Sequence, residues 1–181
     1  MGKRVRFNTP GHAHELTFSC YRNRPFLSSR LYCLHLCEAI SVARQRFYFH
    51  VWAYVLMPNH VHLLIYPTLE SYDIAEILQN IKQSVSRRAI RAARRSGADV
   101  LQQFFAGSKS RQYRFWQSGG GYDRNIVSKV VLLKTINYIH NNPVRAGLVK
   151  SPEEWEWSSF QDWADLGCGP ITIDRENISL S

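Results

Sequence analysis

Alternating apolar and polar residues mark the strands that the chain is expected to form. Residues 14–20 alternate in this way and predict a first β-strand. Within residues 47–66, the turn-forming pair Pro58-Asn59 separates two apolar runs, which predicts a β-hairpin. In its second strand, His60 and His62 lie on one face. The residues expected to face the core on the other side are Val61, Leu63 and Ile65.

Three longer stretches place apolar residues three or four positions apart, which predicts helices. They cover about residues 29–46, 73–96 and 125–141. Asp73 opens the second helix, and Pro143 is expected to end the third. The expected buried positions are Leu34, Cys37, Ile40 and Ala43 in the first helix, Ile74, Ile77, Leu78, Ile81 and Val85 in the second, and Ile126, Val130, Leu133 and Ile136 in the third.

These elements divide the chain into three parts. Residues 1–13 form a basic arm, residues 14–150 one folded domain, and residues 151–181 a tryptophan-rich segment. A length of 181 residues suits one domain with a tail. The last segment is expected to contain one short helix and to pack on the domain through its aromatic side chains, which are Trp155, Trp157, Phe160 and Trp163.

Composition narrows the classes of protein. An apolar fraction of 45% is enough to build a core. The formal net charge of +9 favours a polyanionic partner, nucleic acid first, over a basic protein without one. The four cysteines form no C-x-x-C pair, no signal-peptide pattern is visible, and no stretch is apolar enough to span a bilayer. We therefore expect a reduced, cytoplasmic protein with no membrane partner.

Basic side chains recur where phosphates could be bound. Arg87, Arg91 and Arg95 lie four residues apart on one helical face, with Arg88 and Arg94 beside it. This basic run has no acidic partner in the local sequence, which favours phosphate contact over a solvated surface. Residues 111–117 interleave basic and aromatic residues, and these aromatics either stack on single-stranded bases or belong to the core. The candidate DNA contacts are Lys3, Arg4, Arg6, Arg22, Arg24, Arg87, Arg88, Arg91, Arg95, Arg111, Arg114 and Arg145.

Two sets of side chains suggest catalytic chemistry. His60 and His62 can converge on one metal ion, although two polar residues on a solvent-facing strand would show the same spacing. Lys134, Tyr138 and Asn142 lie four residues apart on one helical face. Tyrosine can be a covalent nucleophile, but a neutral phenol, with a pKa of about 10, is weak. It needs a nearby cation or base, and the phosphate that it attacks must be polarised. A divalent ion would polarise the phosphate, and Lys134 is the candidate for a further phosphate contact.

The motifs around these residues resemble a known family. His60-Val61-His62 after an apolar strand, with Tyr138-x-x-x-Asn142-Pro143-Val144 on a later helix, resembles the single-tyrosine transposases of the HUH nuclease superfamily. The resemblance is closer to the REP-associated tyrosine transposases and covers residues 11–163. The further shared motifs are Gly11-His12-Ala13-His14-x-Leu16-Thr17-Phe18, Phe115-Trp116-Gln117 and Asn142-Pro143-Val144-Arg145-Ala146-Gly147-Leu148-Val149.

This resemblance implies a fold and a site. The fold is a ferredoxin-like α+β domain, with an antiparallel sheet and helices packed on one face. His60, His62 and Asn142 are implied to bind a divalent metal ion, Mg²⁺ or Mn²⁺, where related transposases carry glutamine in place of Asn142. No nucleotide cofactor is expected.

It also implies a reaction and a partner. Tyr138 would cleave single-stranded DNA at the foot of an imperfect hairpin, leaving a 5′-phosphotyrosine link and a free 3′-OH. The expected DNA is a repetitive extragenic palindrome (REP). The protein is expected to act as a monomer, with a dimer as the alternative.

Other interpretations remain open at this point. A domesticated relative would hold DNA hairpins without cleaving them, although the intact histidine and tyrosine set favours an enzyme. A replication initiator or relaxase of the same superfamily is normally larger. Tyr113 and Tyr122 are rival nucleophiles, but they have no metal-binding residue four positions later on a helix. His140 points away from Asn142 around the helix and is not expected to bind metal.

Overall fold

A computed structural model of the chain describes residues 7–107, 112–178 and 180. At Asn177 the description covers the backbone alone. Among the described helices, none is both long enough and apolar enough to cross a membrane. Four of the candidate DNA contacts lie outside the described residues, namely Lys3, Arg4, Arg6 and Arg111.

The described residues form a four-stranded antiparallel sheet. Its strands are β1 (Ala13–Ser19), β2 (Phe49–Leu56), β3 (His60–Pro67) and β4 (Tyr122–Ile126), in the spatial order β2-β3-β1-β4. β2 and β3 form the predicted hairpin, and β1 lies between β3 and β4. The two central strands therefore have their hydrogen bonds completed on both sides, while β2 and β4 are edges.

Five α-helices accompany the sheet in the described part of the chain. They are α1 (Arg30–Phe47), α2 (Ile74–Ser96), α3 (Ala98–Gln102), α4 (Lys129–Arg145) and α5 (Phe160–Trp163). Asp73 caps α2 as predicted, because its carboxylate accepts a hydrogen bond from the Ala75 amide at 2.7 Å. Short 3₁₀ turns cover Tyr21–Asn23, Phe26–Ser28, Pro152–Glu154 and Arg175–Asn177.

The helices cover both faces of the sheet. α1 and α2 pack on one face, over a core that contains Leu16, Val61 and Leu63 from the strands. α4 packs on the other face, over a second core that contains Leu64 and Val55. The predicted α+β class and antiparallel sheet are confirmed. The expectation that the helices share one face holds for α1 and α2 but not for α4, because β3 is apolar on both sides.

The third predicted helix begins later and ends later than the sequence pattern indicated. Residues 122–126, partly assigned to that helix, form β4 and pair with β1. The helix begins at Lys129, after the Ser128 cap, and Pro143 lies inside its last turn. Val130 and Leu133, predicted to be buried, are exposed by 64% and 49%. Its buried side chains are instead Leu132, Ile136 and Ile139.

The first helix shows a smaller difference of the same kind. Leu34, which was predicted to be buried, is exposed by 47%. The observed buried stripe of α1 instead includes Cys33 and Leu36 beside the predicted Cys37 and Ile40.

The C-terminal segment covers the β2 edge. The Leu56 amide donates to the Trp157 carbonyl at 2.8 Å, and the Ser159 amide donates to the Tyr54 carbonyl at 3.1 Å. The Trp163 indole donates to the Trp52 carbonyl at 2.8 Å. Since β2 would otherwise present unpaired backbone groups, these contacts of the C-terminal segment close this edge.

The β1 edge is closed by two separate pieces of chain. Trp116 bridges Cys20, and the Gln117 amide donates to the Ser19 carbonyl at 2.9 Å. β4 then resumes the pairing at Tyr122, so residues 118–121 loop out of an otherwise continuous edge. Of the two interpretations of the aromatic residues in 111–117, the core is correct for Trp116 and for Phe115, because both rings are buried against the α1 and α2 face.

Gly121 is expected to be the sensitive position in this looped-out segment. Its φ is +73°, and a Cβ there would overlap the Thr17 carbonyl oxygen in β1. Gly119 is the matched control, since its φ is +93° but a Cβ would meet nothing within 4 Å. Both alanine variants should lose about 1–3 kcal/mol of unfolding free energy through backbone strain. In urea titrations Gly121→Ala should lose more than Gly119→Ala, and equal losses would show that the approach to β1 is unimportant.

Candidate active site

His60 and His62 lie next to each other on the face of β3 that α4 covers. Their ring centres are 5.0 Å apart. The Nδ1 atom of His62 is hydrogen-bonded to Thr17 Oγ1 at 3.0 Å, and Nδ1 of His60 to Asn59 Oδ1 at 2.7 Å. Because both contacts use Nδ1, the Nε2 atom of each ring is left for another ligand. Oriented imidazoles of this kind are typical of metal sites.

Both imidazoles are held in the neutral form that metal binding requires. Burial lowers the pKa of His60 below its ordinary value. Burial, with a smaller contribution from the charge of His60, lowers the pKa of His62 to about 4. The pair is therefore ready to bind a cation at neutral pH without first releasing protons.

Tyr138 is brought to the same place by α4. Its ring centre is 5.6 Å from that of His62, edge to face, and the side chain is 39% exposed. The Arg145 guanidinium carbon lies over the Tyr138 ring, 5.0 Å from its centre. An accessible phenol therefore lies between a histidine pair and a cation, which are the two kinds of neighbour that a tyrosine nucleophile needs.

Asn142 follows Tyr138 by one helical turn. Its Nδ2 donates to the Tyr138 carbonyl at 2.8 Å and to the Ile139 carbonyl at 3.4 Å. The second carbonyl would normally accept from residue 143, but Pro143 has no amide hydrogen. Since the NH₂ group is directed to the backbone, the amide oxygen is the part of Asn142 that can serve as a ligand.

A metal ion at this position would need a neutral third ligand. Across residues 7–107, 112–178 and 180, no group of three His, Cys, Asp or Glu side chains could hold an ion. Two imidazoles and one amide oxygen are nevertheless an acceptable donor set for a divalent ion completed by water or phosphate oxygens. The described residues thus fit the predicted His60, His62 and Asn142 set.

The other predicted site residues lie at different distances from this centre. Lys134 is exposed on α4, one turn before Tyr138. Tyr122 shares a row with His62, since both residues pair with Thr17. Tyr113 lies beside α2, away from the histidines. His140 is buried, and its Nε2 atom is hydrogen-bonded to Ser159 Oγ at 2.9 Å.

The predicted arginine face is exposed in part. Arg87, Arg91 and Arg95 are exposed on α2. Arg88 forms a bidentate ion pair with Glu38 of α1, so the expectation that this basic run has no acidic partner is wrong for Arg88. The pairing crosses from one helix to another 50 positions away in sequence and could not be found from local spacing.

The remaining predicted arginines are spread around the domain. Arg22 and Arg24 lie in the loop after β1, where the Arg24 guanidinium donates to the Gln103 carbonyl. The Arg114 guanidinium donates to Ser118 Oγ. Arg145 lies over the Tyr138 ring, and its contact with DNA stays a prediction.

Several residues around the site were not among those predicted from the sequence. Thr17 orients His62, and its place opposite His62 follows from the β1–β3 register. Beside it, Glu15 is buried and paired with Arg124 at 2.8 Å, and Arg124 donates to Thr135 on α4 at 2.9 Å. This link joins β1, β4 and α4 behind the histidines. This link could be predicted only if the pairing of β1 with β4 were already known.

Three comparisons with known proteins bear on this geometry. A family model described as transposase IS200-like matches residues 10–142. The chain is 26% identical over 112 residues to a protein named as a REP-associated tyrosine transposase in Haemophilus influenzae; the match covers 62% of this chain and 59% of that relative's length. It is similar to the solved structure of a REP-associated tyrosine transposase bound to a REP hairpin, with a TM-score of 0.70, 21% identity, and coverage of 99% of this chain and 96% of the other. At that identity the likeness supports the fold.

The buried histidines predict how stability depends on pH. Burial lowers the pKa of both His62 and His140 to about 4, below the 6.5 of an exposed imidazole. Because the folded state resists protonation, their contribution is fully present above pH 6.5 and is lost as the pH falls toward 4. Urea unfolding in EDTA should therefore give a lower unfolding free energy at acidic pH. His140→Gln should show a weaker pH dependence than the unaltered protein, and an unchanged dependence would contradict the burial argument.

Proposed function

The chain belongs to the family of IS200-like transposases, as its histidine and tyrosine motifs predicted, and we propose that it is a metal-dependent endonuclease and strand transferase for single-stranded DNA. The observation that carries this proposal is the 5.6 Å approach of the Tyr138 ring to His62. A nucleophile and a cation-binding pair can then act on the same phosphate.

In the proposed reaction, Tyr138 is the nucleophile. Its phenolic oxygen forms a bond to phosphorus while the bond from phosphorus to the 3′ oxygen breaks. The proton lost by the phenol is balanced by the one gained on the 3′-OH. A 5′-phosphotyrosine link preserves the energy of the phosphodiester, so attack by a 3′-OH can rejoin strands without a nucleotide cofactor. Arg145 lies over the Tyr138 ring, so a positive charge is present beside the attacking group and the phosphate it attacks.

His60, His62 and the amide oxygen of Asn142 would hold a divalent ion, Mg²⁺ or Mn²⁺. When bound, such an ion polarises the phosphate and offsets charge that develops in the transition state. Thr17 and Asn59 keep the two imidazoles in position through their Nδ1 atoms. Lys134 is proposed to add a phosphate contact one helical turn from Tyr138.

The proposed substrate is hairpin-bearing repetitive DNA of the REP kind. The net charge of +9 and the exposed arginines of α2 support a polyanionic partner. The solved structural relative is bound to a REP hairpin, which supports the same class of DNA here. A cytoplasmic location and a monomeric state are parts of this proposal. A hairpin-binding module without cleavage is the alternative, and formation of a covalent protein–DNA adduct distinguishes the enzyme from it.

Tyr138→Phe tests the nucleophile. Phenylalanine keeps the ring and its packing on His62 but removes the attacking oxygen, so this variant should fold and bind a labelled hairpin yet form no covalent protein–DNA band. Tyr48→Phe is the control, since Tyr48 is an exposed tyrosine at the end of α1 and should keep the band. The band is read on denaturing gels with Mg²⁺ or Mn²⁺ present. An adduct that survives in Tyr138→Phe would refute the role, and none in the unaltered protein would favour the binding module.

His60→Ala and His62→Ala test the metal site by a measurement that does not depend on cleavage. Mn²⁺ should raise the thermal midpoint of the unaltered protein by mass action. Each variant should lose most of this shift and its cleavage, yet keep hairpin affinity, because Lys and Arg contacts supply that affinity. His35→Ala is the control, because His35 lies in α1 on the other face of the sheet, and this variant should keep the shift in thermal midpoint. Equal shifts in the unaltered protein and all variants would refute the assignment of His60 and His62 as metal ligands.

A further inference from the structure

A basic groove runs along α2 on the face of the sheet opposite the histidines. It has a volume of about 700 Å³ and lies between α2 and the segment that leads into β4. We call it the α2 groove and define it by Lys82 and Arg87 on one side and by Tyr113, Arg114 and Ser118 on the other. None of its lining residues in the described part of the chain is acidic. The groove therefore attracts anions.

The groove combines cations with an accessible ring. Tyr113 is half-buried, its ring forms a T-shaped pair with Phe105 with 6.2 Å between the ring centres, and the Arg94 guanidinium lies over the Tyr113 ring, 5.9 Å from its centre. Arg87 is exposed on α2, and within the described residues its hydrogen bonds go to Gln83 of the same helix. Single-stranded nucleic acid is bound by such pairs, because bases stack on rings while cations hold the phosphates.

The looped-out segment connects the groove to the catalytic face. The Lys82 ammonium donates to the carbonyls of Gln117 and Gly119 at 3.3 and 2.9 Å, which fixes residues 118–121 at the rim of the groove. The same segment ends at Tyr122, which is 42% exposed and lies in the row of His62 on the other face. Tyr122 is two strand spacings from His62, roughly 10 Å.

We propose that the α2 groove binds an unpaired flank of the DNA strand whose phosphate meets Tyr138, with Tyr122 and the looped-out segment guiding that flank around the sheet edge. The inference rests on the proposed function, since it names where the same substrate continues. Tyr113 supplies a stacking surface, and Arg87, Arg114 and Lys82 face the phosphates. The paired stem of the hairpin is not expected to enter the groove.

The test compares two hairpins of identical stem, one blunt and one with an unpaired flank of about eight nucleotides, a length that such grooves bind. The flank is placed on either side in turn, and affinities are measured at one fixed salt concentration. The unaltered protein should bind one flanked hairpin more tightly than the blunt one. Tyr113→Ala should reduce that ratio by about 5-fold to 150-fold, the range for one lost base stack.

Arg87→Gln is the second variant, because Arg87 is exposed and its loss does not endanger the fold. It should lower the same ratio at the fixed salt concentration. When the flanked hairpin is measured over a series of salt concentrations, the variant should also reduce the slope of log affinity against log salt by about 0.7. Arg46→Gln is the charge-matched control, since Arg46 is exposed at the end of α1 outside the groove, and it should keep the ratio.

Two outcomes would overturn the inference. One is an unaltered protein that gains nothing from a flank on either side. The other is a gain that both Tyr113→Ala and Arg87→Gln retain in full. Failure of the proposed function is seen separately, as the absence of a covalent adduct with any hairpin, and the affinity ratio is read independently of cleavage.

Discussion

Helix α4 is held against the sheet by Leu132, Ile136 and Ile139, and the position of the candidate nucleophile depends on this contact. Burying each of these side chains contributes about 1.5–3 kcal/mol. Tyr138 precedes Ile139, so the packing that buries Ile139 brings Tyr138 to the rim of the interface, beside His62. A helix that was free to rotate would lose this alignment. Tyr138 and the histidine pair could then no longer act on the same phosphate.

The strand register provides the second half of the site. β3 has apolar neighbours on both faces, so a slip by one residue would bury the wrong side chains and turn both histidines to the α1 and α2 side. The β1–β3 pairing also places Thr17 opposite His62, where it orients the ring. Local spacing was enough to predict the hairpin and the shared face of His60 and His62, because these features are contained within short segments. The family was identified from the resemblance of short motifs.

The features that sequence could not predict are those formed between distant segments. β4 was missed because its residues, Tyr122 to Ile126, are largely polar and become a strand only by pairing with β1. The start and the buried face of α4 were misassigned as a consequence. The Glu38–Arg88 pair and the α2 groove likewise join segments that are far apart in sequence. The aromatic residues of the run at 111–117 are divided between the two places considered for them. Phe115 and Trp116 fill the core, while Tyr113 lines the α2 groove.

The account depends most on which oxygen attacks DNA, since geometry brings a single tyrosine ring, that of Tyr138, within 6 Å of His62 among the described ring contacts. Peptide mass spectrometry of the covalent adduct formed by the unaltered protein tests this directly. The account predicts a nucleotide attached to the peptide that contains Tyr138 and to no other tyrosine peptide. A nucleotide on Tyr122 or Tyr113 would contradict it, even if the protein cleaves hairpin DNA.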